Sequence, residues 1–161
     1  MNEDVKYISY EEAISVYAKM IDASDGGFDG VRDEGGIRAA LEFVQNDMYY
    51  PNFSDKLCSL VYKFCSGHYF NDGNKRIALT LGTYFLHKNS YFWQATIFMR
   101  QMESIVYHVA ASNIDKDLLL RIMTCFMNGE DYDEELKIDI ANAMSNGELG
   151  VRGEDYDNEF E

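Results

Sequence analysis

An all-α single domain is what the sequence predicts, on three observations. Apolar residues recur at intervals of three and four almost throughout. Each periodic segment ends in a Gly, Asn or Asp cluster able to stop a helix. Finally, 161 residues with 47% hydrophobic and 14% aromatic content can bury one core that offsets the entropy of ordering, but not two.

The elements follow in order. Ser9 predicts the N-cap of a first helix with the stripe Ile14, Tyr17, Ala18 and Ile21. Asp25 to Gly36 is polar and glycine-rich, too costly for a regular helix, and reads as a loop or a small flap. After Asp33, a second stripe runs through Ile37, Ala40, Leu41, Val44 and Met48. Beyond Pro51, Ser54 is the expected cap of a third helix built on Leu57, Leu60, Val61 and Phe64, which halts at Gly67. From Asn74 to Lys88 the apolar residues Ile77, Ala78, Leu81, Tyr84 and Phe85 span so wide an arc that this helix is expected at the centre of the core. Trp93, with Tyr91 and Phe92, is expected to pack a loop after it. Met102, Ile105, Val106 and Val109 mark one further helix, and Leu118, Leu119, Ile122, Met123 and Phe126 another. A weaker pattern spans about Asp133 to Met144, and Gly147 to Glu161 reads as a frayed acidic tail. Met20, Met48, Met99, Met102, Met123, Met127 and Met144 are expected as core filler.

Twenty-eight acidic residues against 14 basic ones leave a formal charge of -14, which argues against nucleic acid and an anionic membrane as partners. Residues 130–161 hold 12 of the acids against Lys137 and Arg152, so the body is nearly balanced. Cys58, Cys65 and Cys125 show neither disulfide nor zinc spacing, and buried small hydrophobes are their expected state. The N-terminus lacks a basic and then apolar leader, so the expected compartment is cytoplasmic.

Chemistry concentrates in His68-Tyr-Phe-Asn-Asp-Gly-Asn-Lys-Arg76, between two strongly apolar helices. A structural turn would not need an imidazole, a carboxylate, an amide and two cations together. Gly73 allows close backbone approach, and the helix that starts near Asn74 offers its positive end to an anion. Lys75 and Arg76 could neutralise phosphate oxygens, while Asp72 would hold a magnesium ion that keeps several waters. His68 could take a proton from an incoming hydroxyl, and Phe70 is expected to anchor the turn in the core. These features suit a phosphorylated ligand.

The nonapeptide resembles the active-site motif of the Fic/Doc proteins, His-x-Phe-x-Asp/Glu-Gly/Ala-Asn-Gly/Lys-Arg, at every fixed position. A weaker likeness covers about residues 7–129, which implies a Fic/Doc-like helical bundle around the motif-bearing helix, with a small β flap. It divides the chain into a catalytic domain, residues 1–129, and a C-terminal helix and acidic tail, residues 130–161. Most Fic enzymes carry glycine before the motif arginine and transfer AMP to a hydroxyl. This chain has Lys75 there, and Leu79 where AMP-transferring members carry a second arginine. Both resemble the Doc, or death-on-curing, branch, in which ATP lies reversed and its terminal phosphoryl group passes to elongation factor Tu. Gly73 is the Fic-like choice, since Doc sequences commonly have alanine.

The resemblance thus implies a toxin kinase with His68 as base, Asp72 on Mg2+, and Gly73, Asn74, Lys75 and Arg76 around the phosphates. No Ser or Thr has Glu four residues on, so the family's inhibitory helix is not visible and a separate antitoxin is expected. Family members dock targets by strand addition at a flap, which points to Val31 and Arg32 here. Two alternatives stand beside this reading, an AMP transferase and a non-catalytic interaction module. A fold-back of Glu154, Asp155, Asp157 or Glu159 over Lys75 and Arg76 is a further expectation for the tail.

Overall fold

A computed structural model describes residues 4–23 and 30–153, with side chains described as far as residue 146. Seven helices make up the ordered elements among them. Each begins where local groups can satisfy the open end of the peptide ladder. Helix α1 (Tyr10–Ala23) starts on a reciprocal box in which Glu12 N–H donates to Ser9 Oγ at 3.1 Å and Ser9 N–H donates to Glu12 Oε1 at 3.2 Å.

Helix α2 (Glu34–Phe43) starts on Asp33, whose Oδ1 accepts the Gly36 N–H at 2.8 Å. The glycine-rich connection is therefore helical from Glu34 onward, contrary to expectation. The Asp33 cap and the carboxylate of Glu34 in the first turn favour a helix start that holds Gly35 and Gly36. Helix α3 (Phe53–Ser66) is capped by Asn52, whose N–H donates to Asp55 Oδ2 at 2.9 Å, so Ser54 lies inside the first turn and is not the cap.

Helix α4 spans Asn74–Lys88, the bounds expected of it. Beyond it lie α5 (Phe92–Ala110), α6 (Lys116–Met127) and α7 (Glu134–Gly153). Asp115 caps α6 by accepting the Leu118 N–H at 2.8 Å.

Helix α4 packs against α3, α5 and α1, which makes it the axis of the molecule. Its Ile77, Ala78, Leu79, Leu81, Gly82, Phe85 and Leu86 are all buried. Tight approach is possible because Gly82 faces the Phe98 ring of α5, where an added Cβ would sit 2.6 Å from Cε2. Helix α7 lies on α6 and α5 and buries Leu136 and Ile140. It continues through Gly153, so the segment from Gly147 begins as helix rather than as a frayed end. The expected contact of Glu154, Asp155, Asp157 or Glu159 with the motif lies outside the described residues.

Several side chains depart from the expected stripes. Met48 is 92% exposed, because α2 ends at Phe43 and Met48 falls on the turn after it. Met99 is also exposed, on the outer face of α5, and Ala18 faces solvent while Ala13 takes the core position on α1. Phe92 and Trp93 open α5 and are exposed, whereas Tyr91 packs its ring on Phe53 at 4.6 Å.

Lys56, unremarkable in sequence, is fully buried. Its ammonium donates to the Val44 carbonyl at 3.1 Å and to Asp47 Oδ1 at 2.8 Å, which ties the α2–α3 connection to α3. Cys58 and Cys65 are buried as expected, and burial pushes their thiols up to about 12 and about 11. No helix among the described residues is long and apolar enough to cross a membrane.

Candidate active site

The motif forms the strap between α3 and α4. Helix α3 closes at Gly67, whose N–H donates to the Lys63 carbonyl at 2.8 Å. The chain then turns through His68 at φ +51°, a left-handed conformation uncommon outside glycine. That turn leaves His68 exposed while directing the next residues inward. Tyr69 packs edge-on against Phe64 at 5.2 Å. Phe70 is 1% exposed and stacks on Tyr17 of α1, so it anchors the strap in the core as its sequence position implied.

Three side chains set the end of the strap, those of Asn74, Asp72 and Tyr17. The Asn74 side chain accepts the Phe70 N–H at 3.2 Å and donates its amide to the Phe70 carbonyl at 3.0 Å, closing the turn from inside α4. Asp72 Oδ1 accepts the Gly73 N–H at 2.8 Å, and its Oδ2 lies 3.7 Å from the Arg76 guanidinium. The Tyr17 hydroxyl donates to the Asp72 carbonyl at 2.9 Å. Gly73 itself, at φ +79°, is the N-cap of α4 and brings no side chain to that helix end. A Cβ there would meet the Met20 methyl at 3.1 Å and the Arg76 guanidinium at 3.3 Å.

At this helix start the positive end of the α4 dipole meets Lys75 and Arg76. Lys75 places its charge on the α3 side, where it acts against the burial that raises the Cys65 thiol. The Asp72 carboxylate is about half exposed (49%) and is a single hard donor, which fits a magnesium ion held mainly by phosphate oxygens and water. The structure thus brings Asp72, Gly73 and Arg76 into one contact group, ties the Asn74 side chain to the Phe70 backbone, and leaves His68 exposed on the same strap.

The flap expected around Val31 and Arg32 is reduced, among the described residues, to one antiparallel bridge between Val31 and Phe70. Arg32 N–H and Asp33 N–H both donate to the Tyr69 carbonyl, at 2.8 and 3.0 Å, and Asn71 N–H donates to the Gly30 carbonyl at 3.0 Å. The flap root is thereby bonded to the motif strap. In this pairing the N–H and C=O of Val31 face away from the strap.

Two open clefts among the described residues contain no motif residue. One, of about 490 Å³, lies between Trp93, Ile97 and Gln101 of α5 and Tyr132 before α7. The chemistry of the strap, rather than cleft size, is the guide to the site. Sequence reading missed Tyr17 as a site residue and counted it as one apolar position in a stripe. The available signal was a tyrosine within the apolar stripe of a helix, whose hydroxyl needs a partner once buried.

Comparison with known proteins gives the family of the chain. Residues 7–86 match the model of the Fic/DOC family, from before α1 almost to the end of α4. The chain is 33% identical over 96 residues to the Toxin Doc of Mycolicibacterium smegmatis, covering 57% of this chain and 74% of that protein. It is 35% identical over 88 residues to the Protein kinase doc of Escherichia phage P1, covering 53% of this chain and 69% of that protein. With its helical order, its strap and these relatives, the chain belongs to the Fic/Doc family.

Proposed function

We propose that this chain is a Doc-like toxin that uses MgATP to phosphorylate a hydroxyl of a target protein. The observation that carries the reading is Lys75 beside Arg76 at the positive end of α4, the position where AMP-transferring Fic enzymes have glycine. Names of the relatives, a toxin and a protein kinase, support the same reading. By family inference the target is elongation factor Tu, translation arrest is the outcome, and a separate antitoxin restrains the protein.

Each residue then has a part. Gly73 and Asn74 shape the backbone of the phosphate site, and Lys75 and Arg76 neutralise the phosphate oxygens. Asp72 would hold magnesium, which would supply positive charge against the phosphates. The target hydroxyl attacks the terminal phosphorus as the bond to the ADP oxygen breaks. His68 accepts the hydroxyl proton from the lip of the strap, a position open to a protein substrate. Val31 offers its outward N–H and C=O to an extended target segment, with Arg32 next to it, so that the acceptor arrives beside His68. We assign the catalytic unit to residues 1–129 and treat residues 130–161 as an accessory helix and tail.

Parallel reactions with elongation factor Tu or whole lysate test this, one with ATP labelled at the terminal phosphate and one at the innermost. Transfer of the terminal label alone is the expected result. Transfer of the innermost label would mean AMP transfer, the reading that Gly73 favours. No transfer of either label together with no MgATP binding would point to a non-catalytic interaction module.

A further inference from the structure

Tyr17 is only 2% exposed, yet its hydroxyl reaches the motif strap across 55 residues of sequence, donating to the Asp72 carbonyl at 2.9 Å. Its ring stacks on Phe70 with centroids 4.0 Å apart, so one side chain touches the strap on both sides of Asn71. No cis peptide bond occurs among the described residues. A trans peptide carries its C=O and N–H on opposite sides. Holding the Asp72 carbonyl toward α1 therefore turns the Gly73 N–H to the open face, where Asp72 Oδ1 accepts it at 2.8 Å.

Gly73 would otherwise leave that orientation free to change. Rotating the Asp72–Gly73 peptide by half a turn would carry φ of Gly73 from +79° to about -100°, an ordinary region of backbone space. The flip would place a carbonyl oxygen beside the Asp72 carboxylate at the entrance to α4. An anion approaching the helix end would then meet partial negative charge in place of an N–H donor.

We infer that Tyr17 is a positioning residue which locks the Asp72–Gly73 peptide with its N–H toward the phosphate side, and so sets the affinity of the site for MgATP. The inference rests on reading the start of α4 as a phosphate site. Tyr17→Phe is the informative change, because it keeps the buried ring and its stacking and removes only the hydroxyl. Tyr84→Phe is the control: Tyr84 donates its hydroxyl to Glu12 in the same α1–α4 interface and does not touch the strap.

The full chain labelled with 15N and 13C provides a readout that needs no ligand. In Tyr17→Phe the Asp72 carbonyl and Gly73 amide resonances shift or split, while the control leaves them in place. In transfer assays, KM for MgATP in Tyr17→Phe rises about five- to tenfold, the effect of one lost hydrogen bond on the competent fraction, with kcat at saturation within about twofold of wild type. Unchanged Asp72 and Gly73 resonances would overturn the inference. So would a fall in kcat with unchanged KM, because a lock on a pre-binding equilibrium acts on affinity. Failure of the wild type to bind MgATP would defeat the nucleotide reading instead, and the resonances would still decide whether Tyr17 orients the peptide.

Discussion

His68 occupies a left-handed backbone position, φ +51°, and its ring is exposed, so it contributes little to the packed core. Strain at an exposed polar residue between two buried helices is the kind kept for chemistry rather than stability. His68→Ala is therefore expected to reduce transfer about 10²- to 10⁴-fold, the range of a general base, with the thermal midpoint within about 2 °C of wild type. Rates and melting curves on one preparation check both halves. Lys75 decides the other residue-scale question. In the proposed orientation Lys75→Gly loses a phosphate contact, so transfer of the terminal label should fall at least about tenfold. The same variant is expected to gain label from the innermost phosphate, since the position then matches AMP-transferring relatives. Parallel labelling of the variant shows whether the side chain sets the direction of ATP.

Between elements, α1 is held on α4 by a polar lock as well as by apolar packing. Glu12 accepts from the Tyr84 hydroxyl and from the Lys88 ammonium at 2.6 Å, with side chains 31% and 24% exposed for Glu12 and Lys88. Lys88 first and Tyr84 second draw the Glu12 carboxyl down to about 2. A carboxyl depressed in the folded state stabilises the fold above its unfolded value near 4.5, and that contribution is lost as pH falls from about 4.5 toward about 2. Urea unfolding at pH 7 and pH 3 should show a smaller loss of stability for Glu12→Gln than for wild type. The α4–α5 contact sets a different condition. Gly82→Ala gains about 1 kcal/mol of helix propensity, but its Cβ would sit 2.6 Å from Phe98 Cε2 and 3.1 Å from Val61 Cγ2. Phe98 is fully buried and cannot swing away, so overpacking of about 1–3 kcal/mol outweighs the propensity. A lowered urea midpoint in Gly82→Ala is the expected result.

On the scale of the whole molecule, α7 stands outside the span matched to the family and adds Leu136 and Ile140 to the core from the α6 side. Ending the chain after Gly129 should cost about 3–6 kcal/mol from Leu136 and Ile140 alone, with Tyr132, Ala143 and Met144 also removed from the core edge. Label transfer should persist at temperatures where the shortened chain stays folded, as the division at residue 129 requires. Loss of transfer from a folded truncated chain would place part of the active unit in α7. The sequence was legible where the signal is local. Gly73 and Asn89 bracket α4 because a glycine cap and the end of an apolar arc are near neighbours in the chain, and the strap chemistry is covalently contiguous. It was not legible at Met48, which followed the helical spacing yet fell beyond the end of α2, or at Ser54, where Asn52 and Asp55 together made the better cap. By itself the sequence determined the helical class, the central helix and the groups available at the strap, all of which depend on spacing and adjacency. Only the tertiary structure decided that Tyr17 backs the Asp72 carbonyl, that Lys56 is buried against Val44 and Asp47, and that the Val31 flap root is bonded to the strap. Those contacts join residues distant in the chain, and partners of that kind are chosen by how helices pack, which no local pattern encodes.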